Sequence, residues 1–111
     1  MSAQNPLLDK LLASLDDIQA VDIKVIDVKG HTSITDYMII ASGRASRHVK
    51  AIAEKVIQDM KVHGLVAISC TGLETGDWAL IDFGDFIVHV MQPESRQFYN
   101  LEGLWEEQTK A

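Results

Sequence analysis

The chain has 111 residues, 47% of them hydrophobic, which suits one compact domain around a single core. Sixteen acidic residues against ten Lys and Arg leave a formal net charge of −6. A protein that grips nucleic acid by its phosphates carries a basic stripe, whereas here the basic residues are scattered and the densest group is only Arg44, Arg47 and Lys50.

Two readings of the acidity stay open: plain solubility, or attraction to a basic protein partner. Cys70 is the single cysteine, so no internal disulfide can form and a reducing compartment fits. Residues 1–5 lack the basic and apolar blocks of a signal peptide. No apolar run approaches the roughly 20 residues that span a bilayer. The expected location is the cytoplasm, with no membrane contact.

In chain order, Asn5-Pro6 reads as an N-cap followed by a first-turn proline. Leu7, Leu8, Leu11, Leu12, Leu15 and Ile18 then line one face of a helix over residues 6–18. Residues 21–28 alternate as a strand until the phase slips at Ile26, which predicts a bulge or burial on both faces. Residues 29–33 form a polar turn. Residues 37–41 are continuously apolar, the pattern of a central strand covered on both sides.

Ser42-Gly43 ends that strand and opens a second helix. Its stripe is Val49, Ile52, Ala53, Val56, Ile57 and Met60, and Gly64 is its expected stop. Residues 66–70 read as another short buried strand, and the order strand, helix, strand suggests a parallel crossover.

Residues 78–83 and 86–91 flank Gly84-Asp85 and read as a hairpin. Pro93 starts a short helical segment through Arg96 and Tyr99, Asn100 breaks it, and residues 101–107 make a last turn or helix. The expected architecture is one domain over residues 1–111, of α/β (α+β) class, with a mixed sheet of about five strands flanked by helices.

A hairpin loop with an even number of residues puts Ala79, Ile81, Phe83, Phe86, Val88 and Val90 on one face. All six are apolar, so that face belongs to the core. Trp78, Leu80, Asp82, Ile87, His89 and Met91 then share the other, where large apolar groups sit beside a carboxylate and an imidazole. Such a mixture suits protein docking. Trp buries a large area at low entropic cost, Met adapts its shape, and Asp82 can pair a partner's cation. The competing reading covers this face with a helix of the same domain and makes Trp78 core. A three-residue loop would exchange the two faces. Both Trp and all three Phe lie between Trp78 and Trp105, which concentrates the aromatic surface in this part of the chain.

The run from Trp78 to Met91, W-A-L-I-D-F-G-D-F-I-V-H-V-M, and the run from Arg96 to Trp105, R-Q-F-Y-N-L-E-G-L-W, closely resemble the ribosomal silencing factor family, also called Iojap-like proteins. Asp36-Tyr37-Met38-Ile39-Ile40-Ala41-Ser42-Gly43 matches a second characteristic block. The resemblance implies a translational repressor rather than an enzyme, with no cofactor. Its partner would be the large ribosomal subunit, through the fourteenth protein of that subunit on the intersubunit face, with little direct rRNA contact. Docking there would block joining of the small subunit in stationary phase or starvation. The implied fold is distantly like that of nucleotidyltransferases, without the activity. Carried over position by position, Trp78, Leu80, Asp82, Asp85, His89, Tyr99, Leu101 and Glu102 lie on or beside the docking surface. Met91 joins them from the hairpin-face reading.

Other chemistries are poorly supported. A nucleotidyltransferase needs carboxylates converging on Mg²⁺, yet Asp82 and Asp85 flank a turn rather than alternating on one strand face. His31, His48, His63 and His89 show no metal-ligand spacing. The first three are expected to be solvated and His89 to be a hydrogen-bonded sheet residue. Cys70 reads as an inert small hydrophobe. A homodimer of the free chain, pairing the mixed hairpin face with its symmetry mate, remains a third reading.

Overall fold

A computed structural model describes residues 6–30, 35–100 and Gly103, with no account of the Tyr99 side chain. Asn5, the expected N-cap, lies outside the described residues, as do His31, Leu101, Glu102 and the expected last helix apart from Gly103, which is helical. The elements run α1 (Pro6–Asp17), β1 (Val21–Asp27), β2 (Tyr37–Ser42), α2 (Ser46–Val62), β3 (Ser69–Thr71), β4 (Trp78–Asp82), β5 (Phe86–Met91) and α3 (Pro93–Tyr99).

The two long helices form where the apolar spacing requires them. Leu8, Leu11 and Leu15 of α1, and Val49, Ile52, Ala53, Val56 and Met60 of α2, are buried together. α2 stops as expected at Gly64, whose φ is +88°. Leu65 N–H donates to the Met60 carbonyl at 2.9 Å and Gly64 N–H to that of Lys61 at 3.0 Å. This is the paired bonding that closes a helix on a left-handed glycine. α3 also ends on a left-handed residue, Asn100 at φ 49° and ψ 46°, whose N–H donates to the Arg96 carbonyl at 2.9 Å.

The strands form one mixed sheet in the order β1-β2-β5-β4-β3. β2 is a central strand with every residue buried, antiparallel to β1 and parallel to β5. Two expectations change here. The segment read as a buried strand at 66–70 is strand only at Ser69–Thr71, on the sheet edge, and Val66 and Ile68 are exposed. The parallel neighbour of β2 is β5 rather than this segment. β3 does run in the direction of β2, but the β4–β5 hairpin inserts between them.

The bulge of β1 lies earlier than Ile26. Pairing shifts by one residue between Val21 and Lys24, where Asp22 takes a φ of +50°. The apparent slip at Ile26 reflects burial on both faces: Ile23 packs on the main core, while Ile26 and Val28 face the opposite side.

α1 and α2 cover one face of the sheet. The main core holds their apolar stripes together with Tyr37, Ile39, Ala41, Ala79, Ile81, Phe83, Phe86, Val88 and Val90. All six residues assigned to the inner hairpin face are therefore core. The hairpin register pairs Ala79 with Val90 and Asp82 with Ile87, and Phe83 N–H donates to the Phe86 carbonyl at 2.9 Å. The loop is thus the two residues Gly84 and Asp85, the even number that the face assignment needs.

Candidate protein-docking face

Direct cross-strand partners share a face of the sheet, so the register maps the side that α1 and α2 leave uncovered. One row runs Ser69, Asp82, Ile87, Met38 and Ile26. The next runs Thr71, Leu80, His89, Ile40 and Lys24. The third runs Trp78, Met91, Ser42 and Val21. At the end of this third row α3 reaches over: Arg96 donates to Ser42 Oγ at 3.0 Å and to the Val21 carbonyl at 3.4 Å.

The centre of this face is a second, smaller core. Ile26, Val28, Met38, Ile40 and Met91 are buried together with Trp78 packed against them. Its outer ring is half-buried: Trp78, Leu80, Asp82 and Ile87 all keep some exposed surface. The sequence expectation of an open apolar surface is therefore revised. Met91 is fully buried and His89 is 5% exposed, so neither presents its side chain to a partner. Trp78, Leu80 and Asp82 keep part of their surface exposed, and Asp85 is exposed at the hairpin tip.

The Trp78 indole crosses diagonally from β4 to β5. Its Nε1–H donates to His89 Nδ1 at 3.0 Å, and the two rings sit 5.7 Å apart at 45°. Because indole nitrogen only donates, His89 Nδ1 must be unprotonated and the neutral ring carries its proton on Nε2. Burial pushes the His89 pKa down to about 4.

The sign of the linkage follows. Between about 4 and the free histidine value near 6.5, the unfolded chain takes up a proton that the native state refuses. Stability supplied by neutral His89 is complete above that window and falls as the pH drops through it. The expected loss is about 3 kcal/mol by pH 4. Urea unfolding of the wild type and of His89→Leu at several pH values checks this. The stability of the wild type minus that of His89→Leu should fall as the pH drops through this window, and a constant difference would refute it.

Asp82 has a local task as well as a charge. Its Oδ1 accepts the Gly84 N–H at 2.8 Å and so shapes the hairpin turn. The Asp85 carbonyl accepts the N–H groups of Asp36 and Tyr37 at 3.0 and 3.1 Å, which ties the tip to the start of β2. The face is therefore built on rigid strands with a fixed turn, the setting in which a docking patch needs little reorganisation. Among the described residues, no group of three His, Cys, Asp or Glu side chains is placed to hold a metal ion. No described helix is long and apolar enough to cross a membrane.

A family model described as ribosomal silencing factor during starvation matches residues 1–111. The chain belongs to this family. It is 48% identical over 99 residues to ribosomal silencing factor RsfS of Zymomonas mobilis, a match covering 89% of this chain and 74% of that protein. It is 36% identical over 101 residues to the Mus musculus protein named mitochondrial assembly of ribosomal large subunit protein 1, covering 88% and 44%. A crystal structure of a Chromobacterium violaceum protein superposes with a TM-score of 0.89 at 38% identity, covering 96% of this chain and 88% of that one.

Within this silencing-factor fold, sequence reasoning missed one histidine. His48 is half-buried rather than solvated. Its Nδ1 accepts the Arg44 N–H at 2.9 Å, and its Nε2 lies 2.9 Å from the Ile18 carbonyl. As the third residue of α2 it reaches back to the amide of the residue just before the N-cap Ala45. At the same time it fastens the exit of α1. The signal available in sequence was its position one turn into the helix. His63 is exposed, as expected. Cys70 lies on the edge strand and packs half-buried against the core, where burial raises its thiol pKa. That agrees with an inert role.

Proposed function

We propose that this silencing factor represses translation in the cytoplasm by docking on the large ribosomal subunit and obstructing the small one. The docking element is the sheet face that α1 and α2 leave uncovered, around Trp78, Leu80 and Asp82, with Asp85 at its tip. The partner is the fourteenth protein of the large subunit, on the intersubunit face. The reaction class is binding, not catalysis, and occupancy rises in stationary phase or starvation.

The observation that carries this reading is the half-buried ring of Trp78, Leu80, Ile87 and Asp82 on the sheet side away from α1 and α2. Aromatic and aliphatic anchors beside a carboxylate form the usual core of a protein interface. The net charge of −6 favours a basic ribosomal protein and is repelled by rRNA phosphate. A body of 37 × 34 × 23 Å is bulky enough to stand between subunits. The name of the mouse relative refers to the large subunit, in keeping with the same partner class.

Leu80→Glu places a charge within the anchor ring and should weaken co-sedimentation with purified large subunits at least ~30-fold, the scale of a lost hot spot. Asp82→Asn keeps the acceptor for Gly84 and removes only the charge. It should lower affinity most at low salt, where unscreened attraction counts. In cell-free translation the protein should inhibit when added before subunits associate. Equal inhibition of preformed ribosomes would defeat the obstruction reading, and normal sedimentation of folded Leu80→Glu would remove this face from the contact.

A further inference from the structure

His89 shares the Trp78 row's face yet is too buried to touch a partner. The question is why a polar ring occupies the middle of a strand whose neighbours on β2 are Ile40 and, diagonally, Met38. A buried polar side chain without a purpose is a liability, because it must find a hydrogen bond or lose stability. Here the bond it finds is to the indole of Trp78. We propose that His89 is a positioning residue for docking: it holds the Trp78 indole flat across β5 in the rotamer that the partner meets. The inference rests on the docking reading above and assigns to one of its residues a different role, support rather than contact.

The geometry favours this assignment. Trp78 is paired in register with Met91, not with His89. To reach His89 Nδ1 the indole must lean diagonally along β4, the reach that large aromatic side chains have across a strand pair. In doing so it closes the small core of Ile26, Val28, Met38, Ile40 and Met91 and leaves its outer side half-exposed. A partner then meets a tryptophan already fixed, and the ordering that binding would otherwise demand of that side chain has been done on folding. The bond needs an unprotonated Nδ1, and the surroundings keep it so. Facing His89 are Leu80 on β4 and Ile40 on β2, with Lys24 next along the row on β1 and Asp82 diagonal to it on β4. Burial holds the ring neutral down to about pH 4.

The experiment uses the full chain, and nuclear magnetic resonance provides a readout independent of ribosomes. In the wild type, ¹⁵N shifts of His89 should show a bare Nδ1 and a protonated Nε2. The Trp78 indole N–H, distinguished from that of Trp105 by Trp105→Phe, should exchange slowly with solvent. A proton found on Nδ1 overturns the proposal without any substitution.

His89→Asn places its amide oxygen the same number of bonds from Cβ as Nδ1, whereas His89→Leu removes the acceptor and suits the apolar surroundings. A positioning role predicts that His89→Leu folds, releases the indole N–H to fast exchange and binds large subunits about threefold to tenfold more weakly, the scale of immobilising one side chain. His89→Asn should restore most of that loss. A merely structural role predicts the reverse order, with Leu the better core residue and docking unchanged. If Trp78→Ala abolishes docking while His89→Leu releases the indole and docks normally, the positioning role is wrong and the docking face stands. If Trp78→Ala also docks normally, the docking face is wrong and the positioning role falls with it.

Discussion

Trp78→Ala is expected to lower affinity for the large subunit by at least ~2 kcal/mol, about 30-fold, while the domain remains folded. Two losses combine at this position. The indole is a half-buried member of the proposed anchor ring and also the lid on Ile26, Val28, Met38, Ile40 and Met91. Truncation uncovers that apolar cluster and leaves His89 Nδ1 without its donor. Full burial of a Trp is worth roughly 3–5 kcal/mol against Ala. Because Trp78 is only half-buried, the stability loss should fall near or below the lower end of that range. A domain of ordinary stability survives it. Trp78→Phe retains a ring on the cluster and loses only the N–H, so its stability loss should be smaller. Co-sedimentation with purified large subunits reads the first effect, and urea unfolding followed by circular dichroism reads the second. A folded Trp78→Ala that sediments normally would remove Trp78 from the contact.

Gly72→Ala should be more damaging to the fold than any surface change of similar size. Gly72 has a φ of +88°, and a Cβ built there would overlap the carbonyl oxygen of Trp78 and crowd its carbonyl carbon at 2.9 Å. Both neighbours are backbone, so no side-chain rotation relieves the clash. Trp78 opens β4 and is paired with Met91, so displacing it also shifts the lid on the small core and the face proposed for docking. Gly64→Ala is the control. Its φ is also +88°, but nothing lies within 4 Å of the added methyl group. That variant should lose only the left-handed strain, about 1 kcal/mol. Gly72→Ala adds the strain of overpacking and should lose ~3 kcal/mol or more. Thermal unfolding of the two proteins compares them directly. Equal melting temperatures would show that the loop before β4 yields without cost.

Local periodicity determined much of this protein. The α1 and α2 stripes, the stop at Gly64, the all-buried β2 and the two-faced β4–β5 hairpin follow from residue spacing, because a helix repeats every 3.6 residues and a strand every two. The hairpin's faces followed from alternation once its loop held an even number of residues, and the register supplied that number. The resemblance of residues 78–105 to silencing factors was legible for the same reason: the motif is contiguous.

Only the tertiary structure decided which strands are neighbours. Alternation records how each strand faces its layers and says nothing about what lies beside it. The insertion of β4 and β5 between β2 and β3 was therefore invisible, and so was the placing of Ser69–Thr71 at an exposed edge. Depth on the docking side was equally a matter of three dimensions. Met91 and His89 share a face with Trp78, Leu80 and Ile87, yet they are buried, Met91 in the small core that Trp78 packs against and His89 as the acceptor of the indole N–H. How much of a side chain stays exposed depends on which neighbour leans over it, and here that neighbour is Trp78.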